Sequence, residues 1–393
     1  MKLSLWALFA LTSAASSYTP ESTLSTDILA IASLAKLAAS VAEGSLADLL
    51  AANGVSQECN ILEVGVRREY STLTNKEKLA YTNAVKCLMS KPAQTPADQV
   101  PGAKSRYDDF VATHVNQTIS IHATGNFLSW HRYFSWAFEQ ALRDECGYEG
   151  YLPYWNWGKS ALDPIHSPYF DGSEYSQGGN GIYAEHNCTD ALGTGLNCIP
   201  PGEGGGCVET GPYVGIMANI SATAPTLTAA NVTAGSFLGY QPRCIRRDVS
   251  PWVSSQWSTD QQSFDLLTNP LYQTGIGAFQ DRLQGDFDAG FFGLHSGGHY
   301  TIGGDPGGDF FNSPNDPMFW LHHSQIDRTW WIWQNQLPLN RTLQISGTNT
   351  VFNTPPSANT TLEDTINLGI IRDPLAIKHH LSTVAGPYCY IYV

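Results

Sequence analysis

Two histidines in a strongly aromatic segment, IHATGNFLSWHRYFSWAFEQAL (121–142), are the first residues that could do chemistry. His122 and His131 stand nine positions apart among phenylalanine and tryptophan residues, which favour burial. A buried imidazole without a polar partner costs on the order of 1–3 kcal/mol. Each ring therefore needs either a hydrogen bond in the core or a metal ion that takes its lone pair.

A second group of histidines lies in the segments LHSGGH and WLHHSQ. His295 and His299 are four residues apart, so on a helix both rings lie on one face, a spacing suited to one ion. Ser296 stands where zinc proteases of similar spacing have a glutamate, which disfavours a zinc hydrolase. Each glycine between these histidines costs a helix about 1 kcal/mol relative to alanine, which indicates that something needs the room.

Together the two regions offer two sets of three imidazoles, without carboxylates or thiolates. Nitrogen-only sets of this kind suit copper or, less specifically, zinc. The first set is His114, His122 and His131, and the second comes from His295, His299, His322 and His323. The remaining histidines are expected to be ordinary surface residues, namely His166, His186, His379 and His380.

Helical patterns around both regions predict the elements that position these histidines. The strongest helical pattern covers residues 127–146. Phe127, His131, Phe134 and Phe138 would share one face of this helix, and Gly147 would end it. Further helical patterns occur in STLTNKEKLAYTNAVKCLM, at 104–115, in TGIGAFQDRLQGDF, in FFGLHSGGHYTIGG and in SPNDPMFWLHHSQIDRTWWIWQ.

Two of these helices carry signals for their first residues. Thr74 and Glu77 have the spacing of a capping box. Asn315 or Asp316 is a candidate cap before Pro317, which suits a first helical turn. The sequence therefore predicts a mainly α-helical chain.

The eight cysteines form an even set without a C-x-x-C pair, which in an oxidising compartment indicates structural disulfides rather than zinc ligands. Four of them fall in a stretch rich in Gly, Ser and Thr at 171–250. This stretch is predicted to be a loop-rich insertion with little regular structure. Its disulfides are expected mainly among Cys188, Cys198, Cys207 and Cys244.

The first residues, MKLSLWALFALTSAASS (1–17), combine one lysine, a short apolar run and small residues. This pattern predicts a signal peptide, with a buried first helix as the alternative. No segment is expected to approach the roughly 18–20 apolar residues of a membrane span. Six sequons indicate a eukaryotic secreted glycoprotein, at Asn116, Asn187, Asn219, Asn231, Asn340 and Asn359.

Charge and length bound the partners and the domain organisation. The chain has 21 basic and 35 acidic residues, a net charge of -14, which disfavours nucleic acid and anionic membranes as partners. Residues 18–100 are expected to form an N-terminal helical segment packed on the core. Residues 101–393 are expected to form the domain that contains both histidine regions.

Several motifs together resemble the tyrosinase and catechol oxidase family of type 3 dicopper proteins. The spacing H-x(7)-H-x(8)-H from His114 to His131 is similar to the family's CuA region. LHSGGH and NDPMFWLHHSQIDRTWWIWQ are similar to its CuB region. FLSWHRYF, YLPYWNW and the Tyr388-Cys389-Tyr390 sequence add to the resemblance, which covers residues 60 to 390.

The resemblance implies a mainly α fold in which a four-helix bundle holds a dicopper centre, with long irregular disulfide-stapled loops and few strands. His322 would then support or pack against the centre. Asp327, on the same helical face as His323, is a candidate to fix the tautomer of a ligand ring. The implied copper ligands are His114, His122 and His131 for one ion and His295, His299 and His323 for the other.

The chain departs from the family pattern at positions that bear on the substrate. Ser120 replaces a cysteine that forms a thioether in many fungal relatives, so no thioether is expected. Gln284 and Ser296 stand where monophenol-hydroxylating members have the Glu and Asn that order a deprotonating water, and an amide cannot replace a carboxylate as a base. Asn156 replaces an aspartate and puts its salt bridge in doubt. Phe310 and Phe311 lie where the family has a gate residue, although simple packing is the alternative.

The resemblance and these departures predict a short secreted fungal-type oxidase of o-diphenols and o-aminophenols. It would form o-quinones or o-quinone imines, reduce O2 to water and act weakly on monophenols. A true tyrosinase is the alternative, and a hemocyanin-like oxygen carrier is disfavoured because no C-terminal shielding domain is expected. The expected partners are O2 and small phenols, without nucleic acid or membrane, and the sequence leaves the oligomeric state open.

Overall fold

A computed structural model of the chain describes residues 24–60, 62–191, 198–227 and 233–393. The predicted signal peptide (1–17) and the sequon at Asn231 lie outside these ranges. The helices are α1 (Ser25–Ala42), α2 (Ser45–Ala52), α3 (Asn75–Ser90), α4 (Arg106–Ile121), α5 (Phe127–Cys146), α6 (Pro251–Trp257), α7 (Asp260–Thr268), α8 (Ile276–Gln284), α9 (Gly293–Ile302), α10 (Met318–Gln336) and α11 (Pro338–Arg341).

The strands are short and pair two at a time, without a larger sheet among the described residues. β1 pairs with β10 in parallel, and the other pairs are antiparallel: β2 with β5, β3 with β4, β6 with β7 and β8 with β9. The strands are β1 (Gly65–Arg67), β2 (Gly181–Tyr183), β3 (Thr189–Asp190), β4 (Cys198–Ile199), β5 (Gly205–Val208), β6 (Met217–Ile220), β7 (Tyr240–Cys244), β8 (Thr365–Ile366), β9 (Leu375–Ala376) and β10 (Tyr390–Tyr392).

Local signals placed several helix ends correctly. Helix α5 has the predicted bounds and ends at Gly147 in the left-handed conformation, with φ 67°. The capping box of Thr74 and Glu77 is present at the start of α3. At the start of α10 the Met318 N–H donates to Asp316 Oδ1 at 2.9 Å, so Asp316 supplies the cap. Helix α4 runs past its predicted end at residue 115.

Helices α4, α5, α9 and α10 form the predicted four-helix bundle, and aromatic side chains fill its interior. The rings of Phe138 on α5 and Trp320 on α10 stack with centroids 3.6 Å apart. The Trp320 indole N–H donates to the Tyr107 hydroxyl on α4 at 2.9 Å. Full burial of such side chains stabilises a fold by about 1.5–3 kcal/mol each.

A buried charge network ties α10 to α5 and to the β1–β10 ladder. Asp327 accepts from Arg132 Nε at 2.6 Å, from Arg67 Nη1 at 3.4 Å and from the hydroxyls of Tyr390 and Tyr392 at 2.6 Å each. Burial alone would raise the pKa of Asp327, but the two guanidinium groups and the hydroxyls hold it below its ordinary value. The prediction that Asp327 orients a ligand ring is wrong, because these four donors occupy its carboxylate and no described hydrogen bond joins it to a histidine.

Helix α1 lies along α10 and supplies a carboxylate to it. Asp27 Oδ1 accepts from Arg328 Nη2 at 2.7 Å and from Asn156 Nδ2 at 3.2 Å. Six residues further along α1, Ser33 Oγ donates to the Ile332 carbonyl at 3.1 Å. The ion pair that Asn156 cannot make is therefore made by Asp27, from a segment remote in sequence.

The same helix is long and apolar enough, by length and composition alone, to cross a membrane. This finding corrects the expectation that no segment approaches that length. Ala30 and Leu37 of α1 are buried in the main hydrophobic core, so part of its apolar surface packs against the rest of the fold.

The 171–250 insertion is cross-linked as predicted, by Cys188–Cys198 and Cys207–Cys244. It has more regular structure than expected, because strands β2 to β7 form three short ladders within it. The other disulfides are Cys59–Cys389 and Cys87–Cys146. The division of the chain at residues 17 and 100 stays a prediction.

Two histidines expected at the surface are buried instead. His186 lies in the insertion with its Nε2 2.8 Å from Asp248 Oδ2. His380 Nδ1 lies 2.6 Å from the Tyr388 hydroxyl, and burial lowers the pKa of His380 to about 3. The partner of His186 is far away in sequence, and His380 and its partner lie in the irregular tail. Hydrophobic periodicity therefore could not predict the burial of either histidine.

Candidate metal centre

Three histidines meet at one end of the space between α4 and α5. His114 lies on α4, His122 follows its last residue, and His131 lies on α5. Their ring centroids are 5.2 Å (114 to 122), 5.8 Å (114 to 131) and 5.0 Å (122 to 131) apart. All three are buried, and each can direct a ring nitrogen to within 4.8 Å of the others.

Main-chain carbonyl groups fix the tautomers of this first group. Because a carbonyl oxygen only accepts, each Nδ1 carries the proton and each Nε2 keeps its lone pair. Nε2 of His114 and of His131 is buried without a partner. The acceptors are the carbonyls of Phe311 for His114 at 2.8 Å, Thr118 for His122 at 2.9 Å and Phe127 for His131 at 2.8 Å.

A second group of four histidines comes from α9 and α10. His295, His299, His322 and His323 each have a ring nitrogen within 4.8 Å of the others. Nε2 of His299 lies 3.2 Å from Nε2 of His323. The ring of His131 stacks on that of His323 with centroids 4.5 Å apart, so the two groups are adjacent.

The structure distinguishes the two consecutive histidines of α10. The Trp157 indole N–H donates to His322 Nδ1 at 3.1 Å, which uses the one lone pair of a neutral ring and leaves a proton on Nε2. A Cβ on Gly298 would lie 2.2 Å from the His322 ring, and one on Gly297 would lie 2.8 Å from Trp257 Cβ. The two glycines therefore leave space for the side chains of His322 and Trp257, which explains why helix α9 contains residues that destabilise a helix.

Burial controls the protonation of both groups. It lowers the pKa of His122 to about 4 and that of His322 to about 3, and it lowers those of His114, His131, His295, His299 and His323 well below their ordinary value. The cause is that a low-dielectric interior disfavours the charged imidazolium. Neutral rings are the form that binds metal ions.

A cavity of about 440 Å³ opens onto both groups. Its inner wall includes His122, His295 and His299. The ring of Phe310 lies over His122, with centroids 4.7 Å apart. A planar aromatic molecule therefore has a way to both histidine groups.

A family model described as the common central domain of tyrosinase matches residues 104–336, which include all of these histidines. The chain belongs to the tyrosinase family. It is 37% identical to Tyrosinase P of Aspergillus terreus, over 83% of this chain and 91% of that protein. It is 36% identical to N-acetyl-6-hydroxytryptophan oxidase of Emericella nidulans, over 88% and 98% respectively.

Its fold is similar to that of a polyphenol oxidase variant from Thermothelomyces thermophila, with a TM-score of 0.85 and 39% identity. The similarity covers 93% of this chain and 97% of that one. This tyrosinase-family chain is thus a copper oxidase of the polyphenol oxidase type, and enzymes of this family use O2 and phenolic substrates.

The residues present fit the type 3 dicopper centre of the family. Nε2 of His114, His131 and His295 is buried and unpartnered, as a metal ligand without its ion would be. Nε2 of His322 is also buried and unpartnered, but the hydrogen bond from Trp157 to Nδ1 makes it the protonated nitrogen of that ring. The donor set contains only imidazoles, which suits copper. The cofactor is therefore a pair of copper ions, one beside each histidine group. All eight cysteines are in disulfides, so none is free to form a thioether to His122.

The three predicted substrate-tuning residues, Gln284, Ser296 and Phe310, all line the cavity. Gln284 has a role that the sequence did not indicate, because its Oε1 accepts the N–H of Ala123 at 2.7 Å. Ala123 directly follows His122 and has φ 48°, in the left-handed region that L residues rarely adopt. Ser296 Oγ in turn donates to the Gln284 carbonyl at 3.1 Å.

Sequence reasoning also missed residues that reach the site from elsewhere in the chain. Trp157 lies in the quoted YLPYWNW motif, but nothing in its spacing indicated a contact with His322. Phe352, from the irregular C-terminal tail, lines the cavity. Asp281, on α8, lines it too. Tail residues carry no periodic signal that would place them over the site.

Proposed function

We propose that this chain is a secreted catechol oxidase that also accepts o-aminophenols and acts weakly on monophenols. Two molecules of an o-diphenol would be oxidised to o-quinones for each O2 reduced to two waters. When bound, the copper ions supply the paired one-electron chemistry that links these two half-reactions. The proposed ligands are His114, His122 and His131 for one ion and His295, His299 and His323 for the other.

The ligand proposal is supported by the hydrogen bonds of the rings. The carbonyl groups beside the first triad leave each Nε2 free to bind, and the Trp157 N–H occupies His322, which favours His323 in the second set. The chain's aromatic residues would exclude water from the reacting ring. Phe310, over His122, would limit how the ring enters.

One observation carries the proposal of weak monophenol activity, namely that Gln284 Oε1 accepts the Ala123 N–H. A monophenol has to lose its proton before it is hydroxylated, and a neutral amide already engaged with the backbone cannot act as the base. The Ser296 hydroxyl is likewise engaged with the Gln284 carbonyl. Two carboxylates line the cavity. Asp309 is buried and accepts four backbone N–H groups, and Asp281 is exposed on α8, three residues before the position of the family's glutamate.

The double variant Gln284→Glu with Ser296→Asn tests this proposal. A carboxylate can still accept the Ala123 N–H, so the fold is expected to survive. We expect the ratio of phenol hydroxylation to catechol oxidation to rise about 100-fold, the low end of what a general base contributes. Oxygen uptake with phenol, catechol and o-aminophenol measures it, and Ser296→Asn alone is the control that adds no base.

A true tyrosinase is the competing proposal, in keeping with the name of the Aspergillus terreus relative. A wild-type enzyme that hydroxylates phenol as fast as it oxidises catechol would establish that proposal and overturn ours.

Secretion is supported by the pairing of all eight cysteines, which is typical of oxidising compartments. N-terminal sequencing of the protein from culture medium tests that part.

A further inference from the structure

The lining of the cavity carries negative charge without a matching positive group among the described residues. Among the described residues that line it there are two aspartates and no lysine or arginine. Asp309 is buried and satisfied by backbone N–H groups, so it serves the fold. Asp281 is the carboxylate that remains open to a ligand.

Asp281 lies in the last turn of α8, three residues before Gln284, and is exposed at the mouth of the cavity. No hydrogen bond or ion pair from the described part of the chain reaches its carboxylate. The neighbouring Arg282 is engaged elsewhere, with its guanidinium 3.4 Å from the ring centroid of Phe291. Partial desolvation raises the pKa of Asp281, an effect that a bound cation would offset.

An exposed aromatic ring stands at the same mouth. Phe352 lines the cavity with 70% of its surface exposed. Phe352 and Asn353 have φ 49° and 52°, in the left-handed region, which costs a phenylalanine about 1–3 kcal/mol but is common for asparagine. Polar contacts hold this segment: Ser357 N–H donates to Asn353 Oδ1 at 2.9 Å, and Thr350 Oγ1 donates to the Pro355 carbonyl at 2.6 Å.

We propose that Asp281 and Phe352 form a subsite for an ammonium group on the phenolic substrate. A carboxylate and the face of an aromatic ring both attract cations, and the net charge of -14 acts in the same direction. The cavity, at about 440 Å³, has room for a substituent beyond the ring that reaches the histidines. The enzyme thus prefers o-diphenols with an alkylammonium substituent to those with a carboxylate, a preference that rests on the proposed catechol oxidase function.

The test compares three catechols on the copper-loaded enzyme: dopamine with an ammonium group, neutral 4-methylcatechol and anionic 3,4-dihydroxyphenylacetate. We expect kcat/KM to fall in that order, mainly through KM. Phenethylamine and phenylacetate, which lack phenolic hydroxyls, give a binding readout as competitive inhibitors of 4-methylcatechol oxidation. Phenethylamine should have the lower inhibition constant.

The variant Asp281→Asn keeps the shape and removes the charge. It should reduce the preference for dopamine over 4-methylcatechol about two- to fivefold, the range of an exposed ion pair. Phe352→Leu should reduce the same preference. Asp288→Asn, at an exposed residue outside the cavity lining, is the matched control and should change nothing.

Equal ratios in wild type and Asp281→Asn, or a wild type that prefers the carboxylate, would overturn the subsite. A different result would overturn the proposed function, namely an enzyme that oxidises none of the three catechols. Asp281→Lys adds a reversal test, since it should favour the anionic catechol over dopamine.

Discussion

The two histidine groups are held in different ways. In the first group the backbone fixes each ring, because three main-chain carbonyls accept from the three Nδ1 atoms. In the second group no described hydrogen bond joins a ring nitrogen of His295, His299 or His323 to a carbonyl. Nε2 of His299 and Nε2 of His323 instead face each other at 3.2 Å, and His323 Nδ1 is buried without a partner.

This difference indicates that the first triad is pre-oriented by the chain, whereas the second depends on its ion and on neighbouring side chains. Pre-orientation lowers the entropy that binding must overcome. The second group relies on packing instead: Trp157 holds His322, the ring of Phe319 lies 4.2 Å from that of His323, and α1 supports α10 from behind. Copper removal should therefore loosen α9 and α10 more than α4 and α5.

Loss of a proposed ligand should have the largest effect. His131→Ala and His323→Ala should each reduce the copper content from two ions to one and abolish catechol oxidation, because a single ion lacks the two-electron capacity. Atomic absorption and oxygen uptake measure both results. His322→Ala should keep both ions with partly reduced activity, and His166→Ala, at an exposed residue, should change nothing.

Two outcomes would contradict the roles assigned to the two consecutive histidines, His322 and His323. If His322→Ala lost copper and His323→Ala kept it, the assignment in the second group would be reversed. If His323→Ala retained two ions while His131→Ala lost one, the second group would not bind copper in the proposed way.

Removal of the support behind the second group should have an intermediate effect. Asp27→Ala leaves the buried Arg328 without its carboxylate, which we expect to lower the free energy of unfolding by about 1–3 kcal/mol, because Asp27 is partly exposed. Urea denaturation measures this change. Asp48→Ala, at an exposed aspartate on α2, is the control.

The same variant offers a rescue. Asn156→Asp places a carboxylate where the family pattern has one, so the double variant with Asp27→Ala should recover most of the stability. Absence of rescue would show that Asp27 acts through α1 packing rather than through its charge.

The smallest effect is expected at the side-chain support of the first group. Gln284→Leu removes the acceptor of the Ala123 N–H and should lower the free energy of unfolding by about 0.5–1.5 kcal/mol. Both copper ions should remain, because the Thr118 carbonyl still orients His122. A loss of copper in this variant would mean that the backbone alone does not pre-orient the first triad.

Local chemistry explains what the sequence could predict. The bounds of α5, the capping box at Thr74 and the disulfides within 171–250 depend on nearby residues, and the grouping of the histidines followed from the family motifs. The errors concern contacts between distant segments. Asp327 bonds to strands at both ends of the chain, Asp27 replaces the carboxylate missing at Asn156, and Phe352 reaches the cavity from the tail.

The bond between Cys59 and Cys389 gives the fold a property that matters outside cells. It closes residues 59 to 389 into a covalent ring that contains both histidine groups, and the β1–β10 ladder lies beside it. A protease that cuts one exposed loop within this ring opens it but releases no fragment. The enzyme should thus survive single nicks that would separate the two halves of the metal centre in an open chain.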